Sequence, residues 1–180
     1  MCITGSSIFY VLWQQQTASH ASDHAAIVAN AVFWGAVGAL GLVTFAALFA
    51  ALRRGASDRA LLAGGCTLCT LGAALCVDTR ALPLTLPRFV AGMSLAWGVG
   101  YPAAQATAVS AFSKVLRPQH LGAFLAYQTM AGSAGRVVGP LLAGALYDGA
   151  AGGACVAIAA GSCAACCALV AALWRQLRRV

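Results

Sequence analysis

Residues 89–113 read FVAGMSLAWGVGYPAAQATAVSAFS and residues 121–147 read LGAFLAYQTMAGSAGRVVGPLLAGALY, with the polar loop KVLRPQH between them at 114–120. The first run holds 25 residues without a charge, and the second holds one charge, Arg136. A helix rises about 1.5 Å per residue, so either run spans the ~30 Å hydrocarbon core of a bilayer. The pair reads as a membrane hairpin. A guanidinium in the apolar part of a spanning helix costs at least about 2.5 kcal/mol, so Arg136 is expected to face a protein interior or a wet cavity. It is the first candidate for function.

The rest of the chain falls in the same class. Hydrophobic residues make up 61% and charged residues 8%, whereas an average soluble domain carries about 25% charged residues. No polar face is large enough to solvate a globule, and the lipid bilayer is the expected surrounding. The net charge of +7 is scattered at the ends of apolar segments and not gathered into a stripe, which argues against nucleic acid as a partner.

Outward from the hairpin, further uncharged runs lie at 25–52, 60–77 and 154–174, with a shorter, partial one at 1–17. The expected fold is therefore all-α, a polytopic bundle of about six transmembrane helices forming a single domain over 1–180. Asn30 and Trp34, four apart, share a helix face suited to a cavity wall. Gly35, Gly38 and Gly41 punctuate the same run, where small residues allow a neighbouring helix to approach. Gly98, Gly100 and Pro102 interrupt the fourth run, and such breaks survive in a bilayer only where neighbouring helices or water satisfy the freed backbone groups. Tyr101 and Gln105 stand one turn apart beyond that break. Gln128, Gly132 and Arg136 lie on one stripe of the fifth run. There the Gly135–Gly139 pair, with Pro140 and Gly144 following, suggests close packing and a kink.

Several motifs invite chemistry that their surroundings oppose. Seven of the eight cysteines, Cys66, Cys69, Cys76, Cys155, Cys163, Cys166 and Cys167, fall inside apolar runs and read as small packing residues. Cys66 and Cys69 have the CxxC spacing, but redox or metal chemistry needs a thiolate, which apolar burial disfavours. His20 and His24, with Asp23 between them, have a spacing that zinc ligands use on a helix; a polar turn explains them equally well. No span offers a nucleophile with a base, or a pair of carboxylates, so an enzyme is not expected. No metal or other cofactor is expected either.

Charge sets an expected orientation. Arg53, Arg54, Arg59, Lys114, Arg117, Arg175, Arg178 and Arg179 fall on one side by alternate loops, and Arg80 and Arg88 on the other. Positive charge is retained in the cytoplasm, so the C-terminus is expected there.

At residues 98–148 the chain resembles a known family. Gly-Tyr-Pro at 100–102, Ser-Lys-Val-Leu at 113–116 and Gly-Ser-Ala-Gly-Arg-Val-Val-Gly-Pro at 132–140 are similar to helices ten and eleven of the major facilitator superfamily, and more narrowly to its lysosomal members related to neuronal ceroid lipofuscinosis. Asp-Arg-Ala-Leu-Leu-Ala-Gly-Gly at 58–65 looks like the start of helix nine. The resemblance implies the C-terminal six-helix half of a secondary transporter in a lysosomal or other endomembrane, working by alternating access on a small-molecule substrate. The missing N-terminal six-helix half, or a second copy, would complete it.

Within that reading Arg136 attracts an anionic substrate or pairs with a carboxylate of the other half. Gln105, Gln128, Tyr101 and Asn30 hydrogen-bond substrate, while Asp58 and Arg59 act at a cytoplasmic gate or end a helix at the interface. An alternative for Arg136 is that it caps carbonyls freed near Pro140. Relatives tend to carry an acid after the tryptophan of helix seven, where this chain has Gln14, and no acid lies deep in any span. Two other function classes fit the same residues: an anion channel, and a non-transporting membrane partner protein.

Overall fold

Long uncharged runs of Ala, Leu, Val and Gly have no polar side chains to compete with the backbone, so each satisfies its amides internally as a helix. The computed structural model describes residues 8–9, 11–13, 16, 23–79, 83–115, 118–147 and 152–172, and its architecture is all-α. In chain order these are α1 (Asp23–Arg53), α2 (Asp58–Leu75), α3 (Leu86–Met93), a π-helical turn (Ser94–Gly100), α4 (Tyr101–Val115), α5 (Pro118–Tyr147) and α6 (Gly152–Ala172). The expected partial span at 1–17 lies mostly outside the described residues, as do His20 and the arginines at 175–179.

Each uncharged run from residue 25 onward is helical over most of its described residues, the run at 60–77 leaving helix after Leu75. Among the described residues one helix, His24–Arg53, is long and apolar enough to cross a membrane, and Val156–Ala172 is a shorter apolar helix. The run at 89–113 is helical throughout but divided by the π turn, in which Tyr101 N–H donates to the Ala96 carbonyl. Between α1 and α2 the chain reverses at Gly55, whose φ of 83° lies in the left-handed region that glycine adopts at little cost.

Helix α2 is central, flanked by the 86–115 helix on one face and by α6 on another. The first contact is a seam of small residues. Gly65, Cys69, Gly72 and Cys76 line one side; Gly92, Ala96, Gly100 and Ala104 line the other at four-residue intervals. A Cβ on Gly72 would stand 2.5 Å from the Gly92 carbonyl oxygen, and one on Gly100 would stand 2.6 Å from the Cys69 nitrogen. No side chain fits there. The backbones therefore touch, which is how helices gain dispersion energy where lipid offers no hydrophobic drive. Cys69 and Cys76 direct their thiols at the carbonyls of Ala96 and Phe89, at 3.6 and 3.8 Å.

Helix α1 rests on the π turn through Leu40, Gly41 and Thr44. Near its beginning an aromatic cluster closes the core: Phe9 stacks on Phe33 with centroids 5.0 Å apart, and Phe33 meets Trp34 and the fully buried Phe89. Helix α5 is peripheral. It touches α6 and α4, and every residue from 131 to 138 is exposed.

Candidate functional site

Two of the charged places hold residues that the sequence singles out. One is at the shared end of α2 and α4. Asp58 opens α2, where a carboxylate suits the positive end of the helix dipole. Its side chain is 5% exposed, and its Oδ2 accepts from Lys114 Nζ at 2.6 Å and from Ser110 Oγ at 3.1 Å. Lys114 comes from the last turn of α4, four residues beyond Ser110, so both donors share one helix face. The cluster ties two helices together across 56 positions of sequence. Arg59 sits beside it, half-buried. Lys114 and Ser110 are additions to the sequence reading. The signal was present in the loop count, which places the start of the third run and the end of the fourth on the same side.

The other place is the outer face of α5. Arg136 is exposed there and makes no hydrogen bond or ion pair among the described residues. Gln128, two turns earlier, is half-buried with its Oε1 enclosed and unbonded. Gly135 and Gly139 belong to the same helix, and an added Cβ on either would meet nothing within 4 Å. Gly144 lies in its last turns, and α5 continues as helix through Pro140.

The remaining candidates lie apart from these. Asn30 is half-buried on α1, its Oδ1 enclosed and without a donor, one turn before Trp34, whose Nε1 is likewise enclosed and unbonded. Tyr101 is 39% exposed and lies against Trp97, with centroids 5.0 Å apart. Gln105 is exposed one turn further along α4. Among the described residues no hydrogen bond, ring contact or ion pair joins Asn30, Tyr101, Gln105, Gln128 and Arg136 to one another. They do not form one pocket within this chain.

A shallow apolar groove between α2 and α6 is lined by Ala63, Thr67, Cys167, Val170 and Ala171. Close by, Thr70 Oγ1 and Cys167 Sγ are 3.3 Å apart. Cys66, Cys69, Cys76, Cys163, Cys166 and Cys167 are free thiols, and no group of three or more His, Cys, Asp or Glu among the described residues is placed to hold a metal ion.

No family model, no curated protein and no solved structure matches the chain.

Proposed function

We propose that this chain is a six-span half of a major-facilitator-type secondary transporter that moves a small anionic solute by alternating access. The observation that carries the reading is Arg136, a charge without a partner among the described residues, set well inside the long apolar helix α5 and exposed. A guanidinium at that depth is stabilised by an anion, and a cation on a surface facing a complementary half is where an anionic substrate would be drawn. The likeness of residues 98–148 to helices ten and eleven of the superfamily supports the same reading.

The mechanical parts fit. Rocking of one half against the other needs halves that do not deform, and the Gly72–Gly92 seam packs backbone against backbone with no space to give. The Asp58–Lys114 pair then holds the ends of α2 and α4 together so that they move as one body. On this reading that pair and the C-terminus lie on the cytoplasmic side of an endomembrane, which the count of positive charges by alternate loops supports.

The test is flux through liposomes containing the full chain, loaded in turn with small monocarboxylates, dicarboxylates, phosphate and sulfate. Saturable counterflow of one of these anions, reduced about tenfold or more in Arg136→Ala because a lost charge contact of about 1.4 kcal/mol is tenfold, is the expected outcome. Flux that rises linearly with concentration would make the chain a channel. Absence of flux for every anion would mean that this chain does not transport without a further segment.

A further inference from the structure

We propose that the outer face of α5 docks a membrane helix from a polypeptide segment outside these six runs, and that this helix carries a carboxylate opposite Arg136. The proposal rests on the reading of α5 as a span, and it stands whether or not the assembly transports.

Over 131–138 the helix is uncovered all round, the side bearing Arg136 included. All eight residues from 131 to 138 are exposed; among and beside them Tyr127, Met130, Val137, Val138 and Leu141 are 50 to 68% exposed. Lipid covers such apolar groups well enough, so the apolar residues alone would ask for nothing. Arg136 does. At 1.5 Å per residue it lies roughly 27 Å along the axis from Pro118 and about 16 Å from Tyr147, too deep for its side chain to reach headgroup phosphates without distorting the bilayer. It therefore needs an anion within the membrane, and a carboxylate of a neighbouring helix holds it whenever no anionic substrate is bound.

A second copy of this chain does not supply that partner. The four acids of the sequence are Asp23, Asp58, Asp78 and Asp148, and each lies at or beyond the end of an apolar run. A parallel copy docked on α5 would instead bring a second Arg136 to the same depth, a like-charge contact that low dielectric makes worse. The occupant is a helix with an acid near mid-span. Gly132, Gly135 and Gly139, with no neighbour within 4 Å of an added Cβ, leave the surface beside the arginine flat, so the partner's backbone can approach and its carboxylate can reach the guanidinium in a bidentate pair.

The probe is a set of synthetic Leu/Ala transmembrane helices bearing Glu, Gln or Leu at mid-span, labelled and mixed with the labelled full chain in phosphatidylcholine vesicles. Association is read by energy transfer at a pH where an exposed Glu is ionised. The Glu helix is expected to bind about tenfold more tightly than the Gln or Leu helices, given that polar contacts between membrane helices are worth on the order of a tenfold factor. Arg136→Gln removes that preference and Arg136→Lys keeps part of it. Gly135→Leu, which leaves the charge in place, weakens binding of the Glu helix by blocking approach. Equal binding of the three helices overturns the proposal, as does a Glu preference that survives Arg136→Gln. Self-association of the chain abolished by Arg136→Gln also overturns it by seating a second copy there. Amide exchange in the same vesicles separates the two levels. Slow exchange over 121–147 with no Glu preference sinks only the docking proposal, whereas fast exchange there sinks the span reading and the proposal with it.

Discussion

The Thr44 hydroxyl lies 2.8 Å from the carbonyl oxygen of Gly98 on a neighbouring helix and donates to it. Four residues after Gly98 stands Pro102, which has no N–H to give, so the carbonyl has lost the donor that an α-helix would supply. Two responses are visible. The backbone widens into a π turn over Ser94–Gly100, and α1 brings in a side-chain donor. The same hydroxyl also lies 2.9 Å from the Leu40 carbonyl of its own helix, so its one proton is shared between two acceptors. Gly98 has no room for anything larger, since an added Cβ would stand 2.6 Å from Leu40 Cδ2.

Thr44→Val should therefore cost about 1–2 kcal/mol, the range for removing a donor from a buried carbonyl, while Thr44→Ser should stay near the parent. Thermal unfolding in detergent micelles, followed by tryptophan fluorescence, measures both. A Val variant as stable as the parent would mean that the carbonyl is satisfied by the π turn alone.

The small-residue seam predicts a sharp contrast among glycines. Gly72→Ala forces a Cβ to within 2.5 Å of the Gly92 carbonyl oxygen, and overpacking of this kind typically costs about 1–3 kcal/mol. Gly35→Ala meets nothing within 4 Å and should be neutral or stabilising by up to about 1 kcal/mol, from helix propensity. The same unfolding measurement compares them, and equal effects would contradict the seam.

That contrast shows what could be read from the chain and what could not. The break at Gly98, Gly100 and Pro102 was legible because proline removes a donor wherever it sits in a helix, and the helical runs were legible because nothing in them competes with the backbone. The seam was harder to see. Gly35, Gly38 and Gly41, and the Gly135–Gly139 pair, have the spacing of close-packing residues, yet none has a neighbour within 3.5 Å of an added Cβ inside this chain. The tightest contacts instead involve a mixed stripe of Gly, Ala and Cys, whose meaning depends on which helix lies opposite. The Asp58–Lys114 pair was half-legible. Asp58 stood out in the sequence, but its partner is 56 residues away and was counted only as a loop charge. Arg136 is conspicuous in the sequence, and the structure adds that no described residue pairs with it.

The ion pair predicts an ordered series. Lys114→Ala leaves a carboxylate that is 5% exposed without its lysine, though still bonded to Ser110, and should destabilise more than Asp58→Asn does. Since Lys114 is 52% exposed, the loss belongs at the low end, about 1–2 kcal/mol. The double variant should be more stable than Lys114→Ala alone, because the unpaired buried charge is gone. A double-mutant cycle in detergent reads the coupling, and a coupling near zero would remove this pair from the account.

The most direct test of the central claim, a multi-span chain with alternating loops, is glycosylation mapping in endomembranes. Acceptor sequences on flexible insertions are placed in turn within 54–57, after Asp78, within 114–120, within 148–153 and after Val180. The account predicts glycans on the insertions after Asp78 and within 148–153 and on no other. Modification within 54–57 or 114–120, or protection of all five sites, would contradict it.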